Sequence, residues 1–464
     1  MYNAIIVGFD ESFIRDVIYN LERGNCISIK KWFVSCKTIK EQAISPNMIN
    51  WRTIYEEFNV DTLTEYCPKK IYDEVYKKIP VFYTNLVRES YFSNRSVDDC
   101  LNVINMYIHY LYFIINKNKV NYIVFSDAPH GAYAPILYYL AKAMNIKTLI
   151  LFPCYMRDKF LFCYDLEDIG YFSLNNAYTY ASKQKFAIEE KYEKDVFWEP
   201  QKTIRQRYRL FFNFTSWLEE RKSILKHKKK YDGFYDYTCS HIVKFVLRTY
   251  NEFSYQKLNN SVFKHEVNAK EKYVYFPLHL QPEMTTAILG GIYNDQLLAI
   301  ERISEIIADD WVIYVKENPL QTYYMRGEFF YKRLCSNKKV RCIKNDYNTY
   351  ALINGCEFVA TITGTVGWEA ISGGKAVLVF GKAWYRGLPG VINYSDNITI
   401  EDICNHKIAH NLVVEEFNKL QSNFVEGVID GDVAQYMPDL SFSKNRQKVE
   451  KFLEWAINEG CNKN

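Results

Sequence analysis

The chain has 464 residues, enough for two or three domains at about 150 residues each, and its 48% hydrophobic and 24% charged content excludes disorder as its main state. Lysine plus arginine exceeds aspartate plus glutamate by only 58 − 54 = +4, so nothing points to nucleic acid, whose partners carry a far more basic domain. Twelve cysteines with no C-x-x-C pair suit neither zinc nor a disulfide scaffold and read as free thiols of a reducing compartment.

In chain order, Ala4–Gly8 is a short apolar run ending in glycine, as a buried parallel strand requires. The N-terminus lacks the basic region of a signal peptide. Leu101–Asn116 is apolar but interrupted by Asn102, Asn105 and His109, which predicts a buried helix rather than a membrane span. A soluble, cytoplasmic protein is expected. Tyr122–Phe125, a helix over Tyr133–Met144 and Thr148–Phe152 form a strand–helix–strand unit, so residues 1–173 read as one α/β domain.

Between residues 174 and 267 strand-like runs vanish and charged and aromatic residues dominate, as in Thr203–Phe212. This predicts a helical insertion. Its basic run, Lys226–Lys230, is either a solvated face or a contact with anionic lipid headgroups. Residues 268–396 hold four strand candidates, Tyr273–Phe276, Trp311–Val315, Phe358–Thr361 and Ala376–Phe380, with helices at Leu297–Ile307 and Trp368–Gly373. They define a second α/β domain. The tail, 397–464, is expected to be helical and to pack back across the domains, with Val449, Phe452, Leu453, Ala456 and Ile457 on one stripe.

Ligands of parallel α/β sheets sit beyond the carboxyl ends of strands, so the residues just after each strand are the candidates. After Phe276 come His279, Gln281 and Glu283 at alternate positions; they either converge on a ligand or satisfy local backbone. Lys316 and Glu317 follow the next strand, Lys316 placed to meet a phosphate or carboxylate or to pair with an acid. The turn Thr361–Ala370 offers Thr363, Gly364 and Thr365 at a helix start, where backbone N–H groups attract anions, and Glu369 in the expected first helical turn. It is neither G-x-G-x-x-G nor a Walker A loop. In the first domain, Asp127 and His130 follow Phe125, and either can take a proton from an incoming hydroxyl or serve as a local cap. Asp430-Gly431-Asp432 reads as a turn, and no metal site is expected.

Together, FPLHLQPE at 276–283, VKENP at 315–319, TGTVGWEA at 363–370 and the stretch 125–151 resemble the bacterial capsule polysaccharide biosynthesis family of Kdo-transferase-like glycosyltransferases. The resemblance implies a GT-B-like fold, two Rossmann-like domains facing a cleft. It places the donor on the C-terminal domain at His279, Gln281, Glu283, Lys316, Glu317, Thr363, Gly364, Thr365 and Glu369. Asp127 and His130 fall on the acceptor side. It also implies a CMP-activated ulosonic acid such as Kdo as co-substrate, with no other cofactor, and a saccharide or glycolipid acceptor. A peripheral contact with inner-membrane lipids or capsule assembly proteins would follow. A UDP- or GDP-sugar donor, a nucleotide-sugar epimerase and a non-catalytic scaffold are the alternatives.

Overall fold

The computed structural model describes residues 1–9, 11–34, 47–50, 63–88, 96–153, 158–171, 241–323, 325–405, 409–421, 424–434 and 437–458. Two sheets organise them. The first contains β1 (Tyr2–Val7), β2 (Ile27–Val34), β3 (Met48–Asn50), β4 (Tyr122–Phe125), β5 (Lys147–Pro153), β6 (Lys159–Cys163) and the late strand β13 (Val425–Glu426), in the order β13-β6-β5-β4-β1-β2-β3. Its first five strands are parallel; β6 and β13 extend it antiparallel. The second sheet is parallel throughout: β7 (Tyr273–Pro277), β8 (Val312–Lys316), β9 (Val340–Cys342), β10 (Phe358–Thr361), β11 (Val377–Val379) and β12 (Val391–Asn393), ordered β12-β11-β10-β7-β8-β9. These are the two Rossmann-like units expected from the sequence.

Central parallel strands are covered on both faces, and so they read as unbroken apolar runs. Alternation along β1 shows why both faces need cover. Ile5 joins the core beneath helices Val97–Lys117 and Ala134–Ala143, while Ala4 and Ile6 join the opposite core beneath helices Arg15–Arg23 and Phe442–Asn458. Leu101–Asn116 lies within the first of these helices and is core, as expected, started by a Ser96 side chain that accepts the Asp99 N–H. Among the described residues, no helix is long and apolar enough to cross a membrane.

The second sheet is built alike. Val274, Phe276, Ile313 and Val315 pack against helix Gln296–Ile306, while Tyr275, Val359 and Val379 share the other face with helix Thr365–Ser372. The latter core is continuous with that of the first sheet. The two units also meet at backbone level, where Gly387 donates its N–H to the Gly170 carbonyl at 3.1 Å. A Cβ on Gly170 would lie 2.4 Å from the Ala383 oxygen, so only glycine fits this approach.

Helix His241–Val262 closes the segment expected to be helical, with Tyr255 buried against Tyr331. Thr203–Phe212 and the basic run Lys226–Lys230 lie outside the described residues. The tail first packs on the second unit, Phe417 against Trp368 with ring centroids 4.7 Å apart. It then adds β13 to the first sheet and buries Val449, Phe452, Leu453, Ala456 and Ile457 there. Asp430-Gly431-Asp432 is not the expected turn. It opens a short helix, Gly431–Ala434, because the Asp430 carboxylate caps the Val433 N–H at 3.1 Å.

Candidate functional site

Each sheet reverses its strand order once, between β1 and β4 in the first and between β7 and β10 in the second. At both places the two strands feed helices on opposite faces, which opens a crevice at their carboxyl ends. All the candidate residues except Lys316 and Glu317 follow one of these four strands, and those two follow the neighbouring β8.

At the second reversal, His279 and Gln281 are each 8% exposed and Glu317 is 3% exposed, so they face protein rather than an open crevice. The His279 Nε2 accepts the Ile362 N–H at 3.2 Å and lies 2.9 Å from the Thr361 hydroxyl, which in turn accepts the Gly364 N–H at 3.2 Å. Accepting at Nε2 puts the proton of the neutral ring on Nδ1, 3.4 Å from the Thr286 hydroxyl. Burial, aided by the nearby Arg326 charge, pushes the His279 pKa down to about 4. His279 is therefore neutral near pH 7 and holds the β7 exit to the β10 exit.

The centre of this network is Arg326, which the sequence reasoning missed. Its guanidinium is buried and donates to the Glu317 carboxylate at 3.2 Å, to the His279 carbonyl at 2.8 Å and to Gln281 Oε1. Tyr331 donates to the same carboxylate at 2.9 Å, and Gln281 gives its amide to the Asn294 carbonyl at 2.6 Å. Arg326 lies ten residues beyond the β8 strand end, in a polar segment without a motif, and no local pattern marks it.

The other candidates divide. Lys316 donates to the Tyr347 carbonyl at 2.5 Å and the Thr349 hydroxyl at 3.1 Å, tying β8 to helix Thr349–Gly355. Glu283 is half-buried; the chain bends after Gln281, and the Glu283 carbonyl accepts the Ala287 N–H at the start of a helical turn, so the expected row of alternate side chains ends. Glu369 sits in the second turn of helix Thr365–Ser372, not the first, and is 5% exposed. Burial, with the Glu369 charge added, pushes the Tyr385 phenol well up. What remains open is the turn itself: Thr365 is exposed, Thr363 and Gly364 are half-buried, and Gly364 starts the helix without a side-chain cap. The Thr365 and Val366 N–H groups belong to the first turn, which has no intrahelical acceptors for them. The Thr363 Oγ1 is shielded from water and has no hydrogen-bond partner.

At the first reversal, Gly8 closes β1 at a φ of 79°, and its Cβ, if present, would lie 2.0 Å from the Ser126 Oγ. Ser126, Asp127 and His130 are half-exposed. Asp127 Oδ1 accepts the Ala128 N–H at 2.7 Å, and the His130 Nδ1 lies 2.8 Å from the Ala128 carbonyl. A carbonyl only accepts, so Nδ1 carries the proton, and Nε2 of the neutral ring is the nitrogen able to take another. The structure thus keeps both Asp127 and His130 at the crevice.

Two Rossmann-like units with a crevice at each strand-order reversal define a two-domain α/β protein, and in such open sheets the crevices at the strand ends are where ligands bind. Residues 172–414, just over half of the chain, match the family described as capsule polysaccharide biosynthesis protein. The chain belongs to that family. No curated protein matches it. Among solved structures it is similar to the Thermosulfurimonas dismutans KpsC beta Kdo 2,7 transferase, with 11% identity over 74% of this chain and 89% of that one at a TM-score of 0.31. The beta Kdo 2,4 transferase of the same KpsC matches with 11% identity over 66% and 79% at 0.27. The Methanocaldococcus jannaschii UDP-GlcNAc 2-epimerase matches with 13% identity over 98% and 99% at 0.24.

Proposed function

We propose that the protein is a metal-independent GT-B glycosyltransferase of capsule polysaccharide synthesis. In this reading a nucleotide-activated sugar, a CMP-linked ulosonic acid such as Kdo, binds at the second reversal and a saccharide or glycolipid acceptor at the first. Family membership supports the pathway. The observation that carries the donor side is the β10 exit, where the uncapped first helical turn offers the Thr365 and Val366 N–H groups to a phosphate, with the unpartnered Thr363 hydroxyl just beneath the surface beside them.

His279, Gln281, Glu317 and Arg326 fix that turn in advance, so its N–H groups need no reorganisation as charge grows on the departing phosphate. On the acceptor side Asp127 or the His130 Nε2 takes the hydroxyl proton as the acceptor oxygen bonds to the anomeric carbon and the nucleoside monophosphate leaves. Membership of a capsule family and the polar lipid-linked acceptor make a peripheral contact with the inner membrane part of the same proposal.

Thermal unfolding with CMP, UDP, GDP or ADP, each with and without magnesium, tests it. Ligand at 100 times its dissociation constant stabilises by about 2.7 kcal/mol. A magnesium-independent rise in Tm with CMP alone is expected. A rise only with UDP or GDP replaces the donor, and no rise with any nucleotide overturns the transferase reading.

A further inference from the structure

The first unit carries a pocket that the proposed chemistry does not use. It is open, has a volume of about 390 Å³, and is lined by Glu11, Ser12 and Phe13 after β1 and by Gly431, Phe442 and Arg446 of the tail. That size falls within the range of about 300–1,000 Å³ common to small-molecule sites.

Two hydrogen-bonded pairs locate it. Arg446 meets Asp16 at 2.7 Å, and Asn20 donates to Glu450 at 2.8 Å, so helices Arg15–Arg23 and Phe442–Asn458 run parallel, advancing four residues together. Both therefore begin at the carboxyl end of the first sheet, and the pocket lies where they begin. Glu11 follows β1, and Asp127 follows the adjacent strand β4, so pocket and proposed base stand at neighbouring strand exits.

The lining has the chemistry of a sugar site. Phe442 is 49% exposed, with its ring held at 5.6 Å from buried Phe13, which leaves an aromatic surface for the C–H face of a pyranose. Glu11 supplies hydrogen-bond acceptors and Arg446 donors for a rim of hydroxyls. Charge decides the kind of sugar. Arg446 is already paired with Asp16, and the Glu11 carboxylate offsets the partial positive charge of the two helix N-termini, so an acidic ligand would meet no net positive charge.

We propose that this pocket is a saccharide subsite that holds an uncharged hexose unit of the acceptor, stacked on Phe442 and hydrogen-bonded by Glu11 and Arg446. The proposal rests on the glycosyltransferase reading, since it takes the crevice beside β1 as the acceptor side. It makes the tail part of acceptor recognition: the C-terminal helix supplies two of the contacts.

Saturation-transfer NMR on the full chain tests it with methyl α-D-glucopyranoside, methyl β-D-galactopyranoside, free Kdo and inorganic phosphate as probes. Saturation of at least one hexoside, stronger than that of Kdo, is expected. Phe442→Ala should weaken that hexoside about fivefold, the equivalent of about 1 kcal/mol. Gly431→Ala is the control for folding, because its new methyl would lie 2.9 Å from the Glu11 carboxyl carbon and displace only the end of a flexible side chain. It should keep the Tm and still weaken the hexoside. Hexosides that do not bind the wild type, that bind both variants unchanged, or that bind less well than Kdo or phosphate overturn the subsite. The CMP-induced rise in Tm, measured on the same samples, reports the donor reading separately: that rise with no hexoside binding removes the subsite alone.

Discussion

The two strand-order reversals sit at equivalent places in two similar sheets, yet they treat their polar residues in opposite ways. At β7 and β10 a guanidinium, a carboxylate and an amide are buried and bonded to one another, and a buried imidazole ties Thr361 and the Ile362 N–H beside them, with Thr365 exposed at the turn. At β1 and β4 the acid and the imidazole are half-exposed and lean on one stretch of backbone, Ala128. A closed network makes a loop rigid and its stability sensitive to any lost member; half-exposed groups contribute little to stability and stay available to a substrate. The difference agrees with the proposal of a donor side prepared in advance and an acceptor side that meets its ligand at the surface.

The sharpest way to break this contrast is Arg326→Ala. Glu317 would be left as a buried, unpaired carboxylate, and losing one partner of such a pair costs about 3–5 kcal/mol. Urea unfolding should show that loss, and Arg326→Met combined with Glu317→Leu should recover most of it. A loss under about 1 kcal/mol would mean that water reaches the pair and the network is not closed.

Next in size is a pH effect. His279 binds a proton less readily in the folded protein, at about 4, than in the unfolded chain, where the ordinary value is 6.5. Its contribution is thus complete above about pH 6.5 and falls as the pH drops toward about 4, by roughly 3 kcal/mol in all. Chemical denaturation between pH 7 and 4 should show a steeper decline for wild type than for His279→Gln. Parallel profiles would place the imidazole in contact with solvent.

The smallest effect on stability is expected at the first reversal. Asp127→Asn and His130→Gln should each stay within about 0.5 kcal/mol of wild type. The one that removes the base should lower transfer by about 10²–10⁴-fold with the nucleotide-induced Tm rise intact. Equal, unimpaired transfer in both variants would move the acceptor chemistry elsewhere.

Much of the scaffold was legible because buried parallel strands are continuous apolar runs: Tyr122–Phe125 and Phe358–Thr361 are buried at every position. β2 was not, since Lys30 and Lys31 break its run while Ile27, Ile29, Trp32 and Val34 fill one core and Phe33 the other. β9, β12 and β13 have only two or three residues each, too few for a periodic signal. The loops that gather at the β7 and β10 exits were legible as motifs, but their roles were not. Glu369 reads as a helix-start acid, and the structure buries it one turn further on.

By itself the sequence determined two α/β units and the family, because these follow from local apolar pattern and short motifs. Only the tertiary structure decided that His279 is neutral, that Arg326 unites loops 45 residues apart and that the tail helix borders the first sheet's crevice. Those facts depend on burial and on contacts between distant segments, and a chain carries no local mark of which polar side chain will be enclosed by which partner.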